Sequence, residues 1–113
     1  MKYIIAYIKP NKLSAVTLAL HRLPGLPGMS FSEVRGFSSD RIQKSGPPIV
    51  QDLIDYSPYL RIEVFCHDDQ VYEVKHTIQN AARTGKNGDG KIYVTEVGEA
   101  IRIQTAEREE VAA

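Results

Sequence analysis

The spacing of the apolar residues changes repeatedly along this chain, and the order of those changes restricts the fold more than any other feature. Apolar β-formers at 2–8, 29–37, 59–66 and 92–97 predict four strands. Apolar residues at helical spacing predict two amphipathic helices, at 13–23 and at about 69–82. This order predicts an α+β, ferredoxin-like βαββαβ fold, in which both helices cover one face of a four-stranded antiparallel sheet.

The other face of that sheet also carries apolar side chains and needs a cover, for which self-association is the simplest explanation. The 113 residues are enough for one domain, 1–113, with a modest core. Asp68 and Asp69 lie at the start of the second helix and are candidates for capping it, an interpretation we favour over a pair of catalytic acids.

Charge and cysteine usage exclude several classes of protein. The chain has 14 Lys and Arg against 14 Asp and Glu, which argues against a nucleic-acid-binding module. Its one cysteine, Cys66, cannot form an intramolecular disulfide and is expected to pack at a strand end. With no signal-peptide pattern and no membrane-length apolar run, we expect a cytoplasmic protein without direct membrane insertion.

The segment 38–58 shows no sustained period, and its Ser, Gly and Pro residues interrupt any regular element. A loop of about 20 residues inside a compact domain is usually functional or disordered. An apolar patch lies within it, and we expect that patch to contact a partner protein: Ile49, Val50, Leu53 and Ile54.

The glycine-rich loop 84–91 is the strongest local signal for ligand binding. Its glycines permit positive φ angles, and successive backbone N–H groups in such a loop can form an anion-binding nest. Lys86 and Lys91 add positive charge suited to phosphate oxygens. On this local chemistry alone, a simple turn made by the Asn-Gly-Asp-Gly run explains the sequence equally well.

Other candidate residues give weaker signals. Arg102, in a short extended piece at 100–105, suits a phosphate but is more often a surface ion-pair residue. A charged tail follows, and we expect 104–113 to be mobile. No metal site is predicted, because His21, His67 and His76 are isolated, although trimer symmetry could assemble one. No catalytic constellation is present, which predicts a protein that is not an enzyme.

Several motifs in the same order resemble the PII family of nitrogen-regulatory signalling proteins. They are AYIKP at 6–10, GM at 28–29, EVRGF at 33–37, RIE at 61–63, TGKNGDGKIYV at 84–94 and IRI at 101–103. The resemblance covers nearly the whole chain and favours the phosphate interpretation of 84–91. It implies a homotrimer with the sheets lining its centre and an adenine nucleotide (ADP, AMP or ATP) in each inter-subunit cleft. Magnesium is compatible with such a site but is not required.

The resemblance also implies roles for individual residues. Gly88, Asp89, Gly90 and Lys91 are expected to hold the phosphates, and Arg102 to reach them across the interface. The segment 38–58 corresponds to the family's T-loop, which contacts a target protein such as a membrane transporter or an enzyme. The remaining expected nucleotide-site residues are Tyr7, Ser30, Gly36, Phe37, Ser38, Phe65 and Gln104.

Departures from the family pattern concentrate in and near the T-loop. Asp40 stands where the family has a glutamine, and Tyr59 where it has a lysine, so 2-oxoglutarate sensing is expected to be lost. Asp52 replaces the uridylylated tyrosine, which excludes that modification at this position. Gln104 replaces a second arginine, and with one cation fewer we expect ADP and AMP to be better tolerated relative to ATP.

These departures leave several functions open. The chain is expected to regulate a partner, in nitrogen control or in bicarbonate uptake, carbon handling or heavy-metal efflux. A slow nucleotide hydrolase using the same clefts, and a structural trimer whose clefts bind nothing, are the alternatives from other functional classes.

Overall fold

A computed structural model describes residues 1–26, 28–36 and 57–108. Its elements follow the predicted order. They are β1 (Lys2–Ile8), α1 (Leu13–His21), β2 (Met29–Gly36), β3 (Ser57–Cys66), α2 (Val71–Ala82) and β4 (Lys91–Glu96). Single turns of 3-10 helix, Pro10–Lys12 and Asp68–Gln70, lead into the two α-helices.

The four strands form one antiparallel sheet in the order β2-β3-β1-β4. Strand β1 lies in the middle, with Ile8 opposite Leu60 of β3 and Tyr7 opposite Lys91 of β4. The two helices pack against each other and against one face of the sheet. This arrangement confirms the predicted ferredoxin-like fold.

The core lies between the helices and the sheet, and the sequence periods explain it. Alternate residues of β3 are buried, as the pattern predicts: Leu60, Ile62, Val64 and Cys66. Each helix contributes one stripe, with Val16 and Leu20 from α1 and Val74, Ile78 and Ala82 from α2. Burial raises the pKa of the Cys66 thiol, which fits the predicted packing role of that residue.

The start of the second helical region differs from the prediction. His67, not Asp68 or Asp69, occupies the cap position of the 3-10 turn, and the side-chain oxygen of Gln70 accepts a hydrogen bond from the His67 backbone N–H at 3.0 Å. The Asp68 carboxylate instead lies 3.0 Å from the amino group of Met1. The Met1 ammonium is a stronger partner for the Asp68 carboxylate than a backbone N–H group is, and Asp68 therefore does not cap the helix. The capping prediction was wrong.

The C-terminal segment also departs from the sequence prediction. Residues 100–105 do not run as one extended piece, because a turn at 103–105 reverses the chain and pairs Ile101 with Arg108. The reversal depends on Ala106, whose φ is 63° and whose N–H donates to the Arg102 carbonyl at 2.7 Å. Every residue of this C-terminal hairpin, 101–108, is exposed. The predicted mobile tail therefore includes an ordered turn at its start, while 109–113 lie outside the described residues.

The sheet face opposite the helices carries aromatic side chains in contact with one another. The rings of Tyr3 and Phe65 stack with centroids 4.7 Å apart, and those of Tyr7 and Tyr93 meet edge to face at 6.2 Å. Phe65 and Tyr93 are 45% and 51% exposed. An exposed aromatic surface of this kind is typical of an interaction face.

A polar cluster lies beside these rings. Arg61 donates to the Tyr3 hydroxyl at 3.0 Å, and that hydroxyl hydrogen-bonds the Glu63 carboxylate. The hydrogen bond to Tyr3, with the charge of Glu63, raises the pKa of Arg61.

In the part of the chain that the structure describes, no helix has the length and apolar character that crossing a bilayer requires.

Candidate functional site

The glycine-rich loop joins the end of α2 to the start of β4, at the edge of the sheet. Gly85, Gly88 and Gly90 have φ angles of 83°, 85° and 108°, in the region that side chains disfavour. A Cβ built on Gly90 would lie 1.7 Å from the carbonyl oxygen of Tyr7. The loop can therefore lie directly against β1 only because this position has no side chain.

Asp89 closes the loop on itself. Its Oδ2 accepts from the backbone N–H groups of Thr84 at 2.9 Å and Gly85 at 3.0 Å, and its Oδ1 accepts from the Thr84 hydroxyl. The ammonium of Lys9 lies 3.2 Å from the same carboxylate and 3.3 Å from Thr84 Oγ1. We call these three residues, Lys9, Thr84 and Asp89, the loop clasp.

The clasp determines which atoms of the loop remain for a ligand. The hydrogen bond from the Thr84 hydroxyl, reinforced by the backbone donors and Lys9, holds the pKa of Asp89 far below its usual range. Its carboxylate is therefore ionised and engaged within the loop. The N–H groups of Thr84, Gly85 and Lys86 are engaged within the loop. The groups that could bind an anionic ligand are therefore the later backbone N–H groups of the loop and the ammonium of Lys91.

One side of the loop faces Tyr59 and Lys9. A Cβ on Gly88 would lie 3.7 Å from the Tyr59 hydroxyl and 3.8 Å from Lys9 Cε. Tyr59 is the residue singled out in the sequence as a departure from the family pattern. The structure therefore places a neutral hydroxyl close to the loop at that position.

The register of the sheet divides the expected site residues into two groups. Tyr7, Gly36 and the loop residues Gly88–Lys91 lie at one end of the strands. Phe65 pairs with Tyr3 near the other end of the strands. Strand β4 also ends at that end, at Glu96, and Arg102 and Gln104 follow it in the chain. Ser30 pairs with Glu63 between the two groups. Strands rise about 3.3 Å per residue, so Tyr7 and Phe65 are separated by roughly 13 Å along the sheet.

Several expected residues lie outside the described part of the chain. They are Phe37, Ser38 and Asp40, Asp52, and the apolar patch of Ile49, Val50, Leu53 and Ile54. The third strand begins at Ser57, so the last two residues of the expected loop 38–58 belong to β3. Among the described residues, no group of three or more His, Cys, Asp or Glu side chains is placed to hold a metal ion.

The individual roles of Lys9 and Thr84 in the site were not predicted from the sequence, although Thr84 lies within the predicted loop 84–91. Thr84 could have been recognised, because a Thr five residues before an Asp in a glycine-rich loop is well placed for local side-chain hydrogen bonds. Lys9 gave no such signal, since it is distant in sequence and reaches the loop only through the pairing of β1 with β4.

Comparison with known proteins identifies the family of the chain. The family model described as nitrogen regulatory protein P-II matches residues 1–107. The chain is 41% identical over 108 residues to the nitrogen regulatory protein P-II of Azospirillum brasilense and 42% identical over 108 residues to that of Rhodospirillum rubrum, with 96% of each chain covered. It is 40% identical to nitrogen regulatory protein P-II 1 of Escherichia coli over 112 residues, 99% of both chains. The chain therefore belongs to the P-II family of signalling proteins.

Proposed function

We propose that this chain is a homotrimeric regulator, not an enzyme, that binds ADP, AMP or ATP in clefts between subunits and acts on a target protein through segment 38–58. The observation that carries the proposal is the division of the expected site residues between the two ends of the sheet. The two groups lie roughly 13 Å apart along one sheet, too far for one phosphate group to contact both. In two neighbouring copies both groups can contact one ligand, if the loop end of one copy meets the hairpin end of the next.

The surface of the chain supports this assembly. The exposed aromatic face that includes Phe65 and Tyr93 requires a cover. The same aromatic face of a second copy would provide that cover. Ile103 of the C-terminal hairpin is 98% exposed, which is unusual for an isoleucine and suits a hairpin that docks on a neighbour.

The chemistry of the loop supports a phosphate-bearing ligand. Positive-φ glycines at 88 and 90 present backbone N–H groups, and Lys91 adds a cation at the start of β4. A neighbour's Arg102 would supply the second cation. Because Gln104 is neutral, the site has limited positive charge, and we expect ADP and AMP to bind nearly as well as ATP.

The residue at position 59 supports a changed response to metabolites. Tyr59 places a hydroxyl, not an ammonium, beside Gly88, so the site lacks a charge partner there for a dicarboxylate. With Asp40 and Asp52 in the loop, we propose that 2-oxoglutarate sensing and uridylylation are both lost. Such a cytoplasmic regulator would serve bicarbonate uptake, other carbon handling or metal efflux instead of nitrogen control.

Isothermal titration calorimetry of the purified chain with ADP, AMP and ATP tests the proposal. We expect one nucleotide per subunit, similar affinities for the three nucleotides, and no tightening by 2-oxoglutarate. Lys91→Ala should weaken ADP binding by roughly 10- to 100-fold, as expected when a charge-assisted contact to phosphate is lost. Absence of ADP binding to the unaltered trimer at millimolar concentration would contradict the proposed function.

A further inference from the structure

A cleft of about 540 Å³ lies on the helix-covered side of the sheet, between α2 and the adjoining ends of β1 and β4. Its volume is in the range of small-molecule sites. Its lining includes Lys75 and Gln79 of α2, Arg83 directly after that helix, and Ile8 and Ile92 of the strands. Ile92 pairs with the buried Ala6, which places its side chain on the helix side of the sheet.

This cleft is distinct from the loop surface that faces Tyr59. Tyr59 precedes the buried Leu60, and side chains alternate along a strand, so Tyr59 lies on the face away from the helices. The cleft reaches the loop at Asp89 and Gly90 and also touches the strand positions Tyr7 and Lys91. Their neighbours Ile8 and Ile92 face the helices, so alternation directs the side chains of Tyr7 and Lys91 to the other face of the sheet. Where the cleft meets the loop, Gly90 lies against the Tyr7 carbonyl and the Asp89 carboxylate is held in the clasp.

The charges around the cleft favour an anion. Lys75 and Arg83 are exposed at its rim, and neither is paired with a carboxylate in the described ranges 1–26, 28–36 and 57–108. The acidic side chain in the lining is that of Asp89, whose charge is already compensated by Lys9 and the loop donors. Two cations without local compensation therefore border one small cavity.

The rest of the lining favours a ligand with an apolar body. Ile8, Ile78 and Ala82 form part of the lining and are 1%, 1% and 6% exposed, so the floor of the cleft is apolar and closely packed. At the mouth, the rings of Tyr72 and His76 stack in parallel with centroids 5.7 Å apart, and Tyr72 is 73% exposed. Flat aromatic surfaces of this kind contact planar ligands well.

We propose that this α2–β4 cleft is a second ligand site, specific for a small organic dianion with an apolar or aromatic body. In this site Lys75 and Arg83 bind the charged group, and the floor with Tyr72 receives the body. The cleft borders the nucleotide site at the loop and at Tyr7 and Lys91, but the side chains assigned to the second ligand belong to α2 and Arg83, so its binding does not depend on bound nucleotide.

Phenylphosphonate, a non-hydrolysable aryl dianion, is a suitable probe. It would be titrated into the full ¹⁵N-labelled chain, with inorganic phosphate and benzyl alcohol as charge-only and body-only probes. We expect phenylphosphonate to shift the amide resonances of Lys75, Gln79 and Arg83 and to bind at least about tenfold more tightly than either partial probe. Equal binding of inorganic phosphate, or shifts confined to Tyr59 and Gly88, would overturn the proposal.

Variants provide the second arm of the test. Lys75→Gln combined with Arg83→Gln should weaken phenylphosphonate binding by about tenfold or more, because two charge-assisted contacts are lost. The matched control is Arg22→Gln, which removes an exposed arginine at the end of α1 and should leave binding unchanged. ADP affinity of the double variant should stay within about twofold of the unaltered chain, as expected for independent sites. Undiminished phenylphosphonate binding in the double variant would overturn the proposal even if ADP bound normally.

Discussion

Gly90 lies directly against the carbonyl oxygen of Tyr7, so that a Cβ at Gly90 would come within 1.7 Å of that oxygen. The contact fixes the glycine-rich loop to β1, one of the two inner strands of the sheet. It connects the conformation of the glycine-rich loop to a strand whose alternate residues form the core.

Replacement of Gly90 by alanine should therefore distort the loop. The added methyl meets backbone that cannot move aside, and the φ of 108° is itself unfavourable for alanine. We expect Gly90→Ala to lower the free energy of unfolding by about 2 kcal/mol or more, measured by urea denaturation at fixed protein concentration. Gly98→Ala is the matched control, because a Cβ there has no neighbour within 4 Å. Equal stabilities of the two variants would refute the close contact.

Loss of the Thr84 hydroxyl should open the loop clasp. Thr84→Val keeps the β-branched shape but removes a donor to Asp89 and an acceptor for the Lys86 backbone N–H. We expect a loss of about 1–3 kcal/mol in unfolding free energy, as for a hydrogen bond to a charged group. Thr17→Val in α1 is a matched control that leaves the loop intact. A Thr84 variant as stable as this control would show that the clasp does not stabilise the fold.

The pKa of Asp89 predicts a specific dependence of stability on pH. In the unfolded chain this carboxyl titrates near its usual value of about 3.9, whereas the Thr84 hydroxyl and the other donors lower its pKa in the fold. Its stabilising contribution is therefore complete above the unfolded pKa and is lost as pH falls toward the folded pKa. The stability advantage over Asp89→Asn should be constant from pH 6 to 8 and shrink below about pH 4. An advantage independent of pH between 6 and 3 would contradict this assignment.

Substitutions in the core should lower the free energy of unfolding far more than substitutions on the surface. Ile62 on β3 is 0% exposed, and Ile62→Ala should cost about 2–5 kcal/mol through lost burial and a residual cavity. Leu18→Ala, at a position 56% exposed on α1, should change stability by less than about 0.5 kcal/mol. Chemical denaturation of both variants is the measurement, and similar losses in the two would argue against the position of the core.

The sequence predicted the fold well where periodicity and burial coincide. One face of β3 is buried in the core, as the alternation of Leu60, Ile62 and Val64 predicts. One stripe of α2, with Val74 and Ile78, packs in the same core. The C-terminal turn was missed, because it depends on a positive φ at Ala106, a residue type that does not signal one.

Parts of the site were harder to predict for a different physical reason. The glycines predicted the loop, because positive φ angles and close backbone contact require glycine. Lys9 joins the clasp only through tertiary pairing, as one of four donors to the Asp89 carboxylate. Long-range contacts of this kind leave no local pattern in one sequence.

The proposed site is composite, with Lys91 and Arg102 contributed by different subunits, and complementation between two inactive variants tests this most directly. Lys91→Ala and Arg102→Ala chains would be tagged differently and co-expressed, and the mixed trimers isolated through both tags. Each pure variant should bind ADP weakly, whereas mixed trimers should regain one intact cleft in three, as cyclic threefold symmetry requires. ADP affinity in the mixed trimers no better than in either parent, or a chain that is monomeric in solution, would contradict the account.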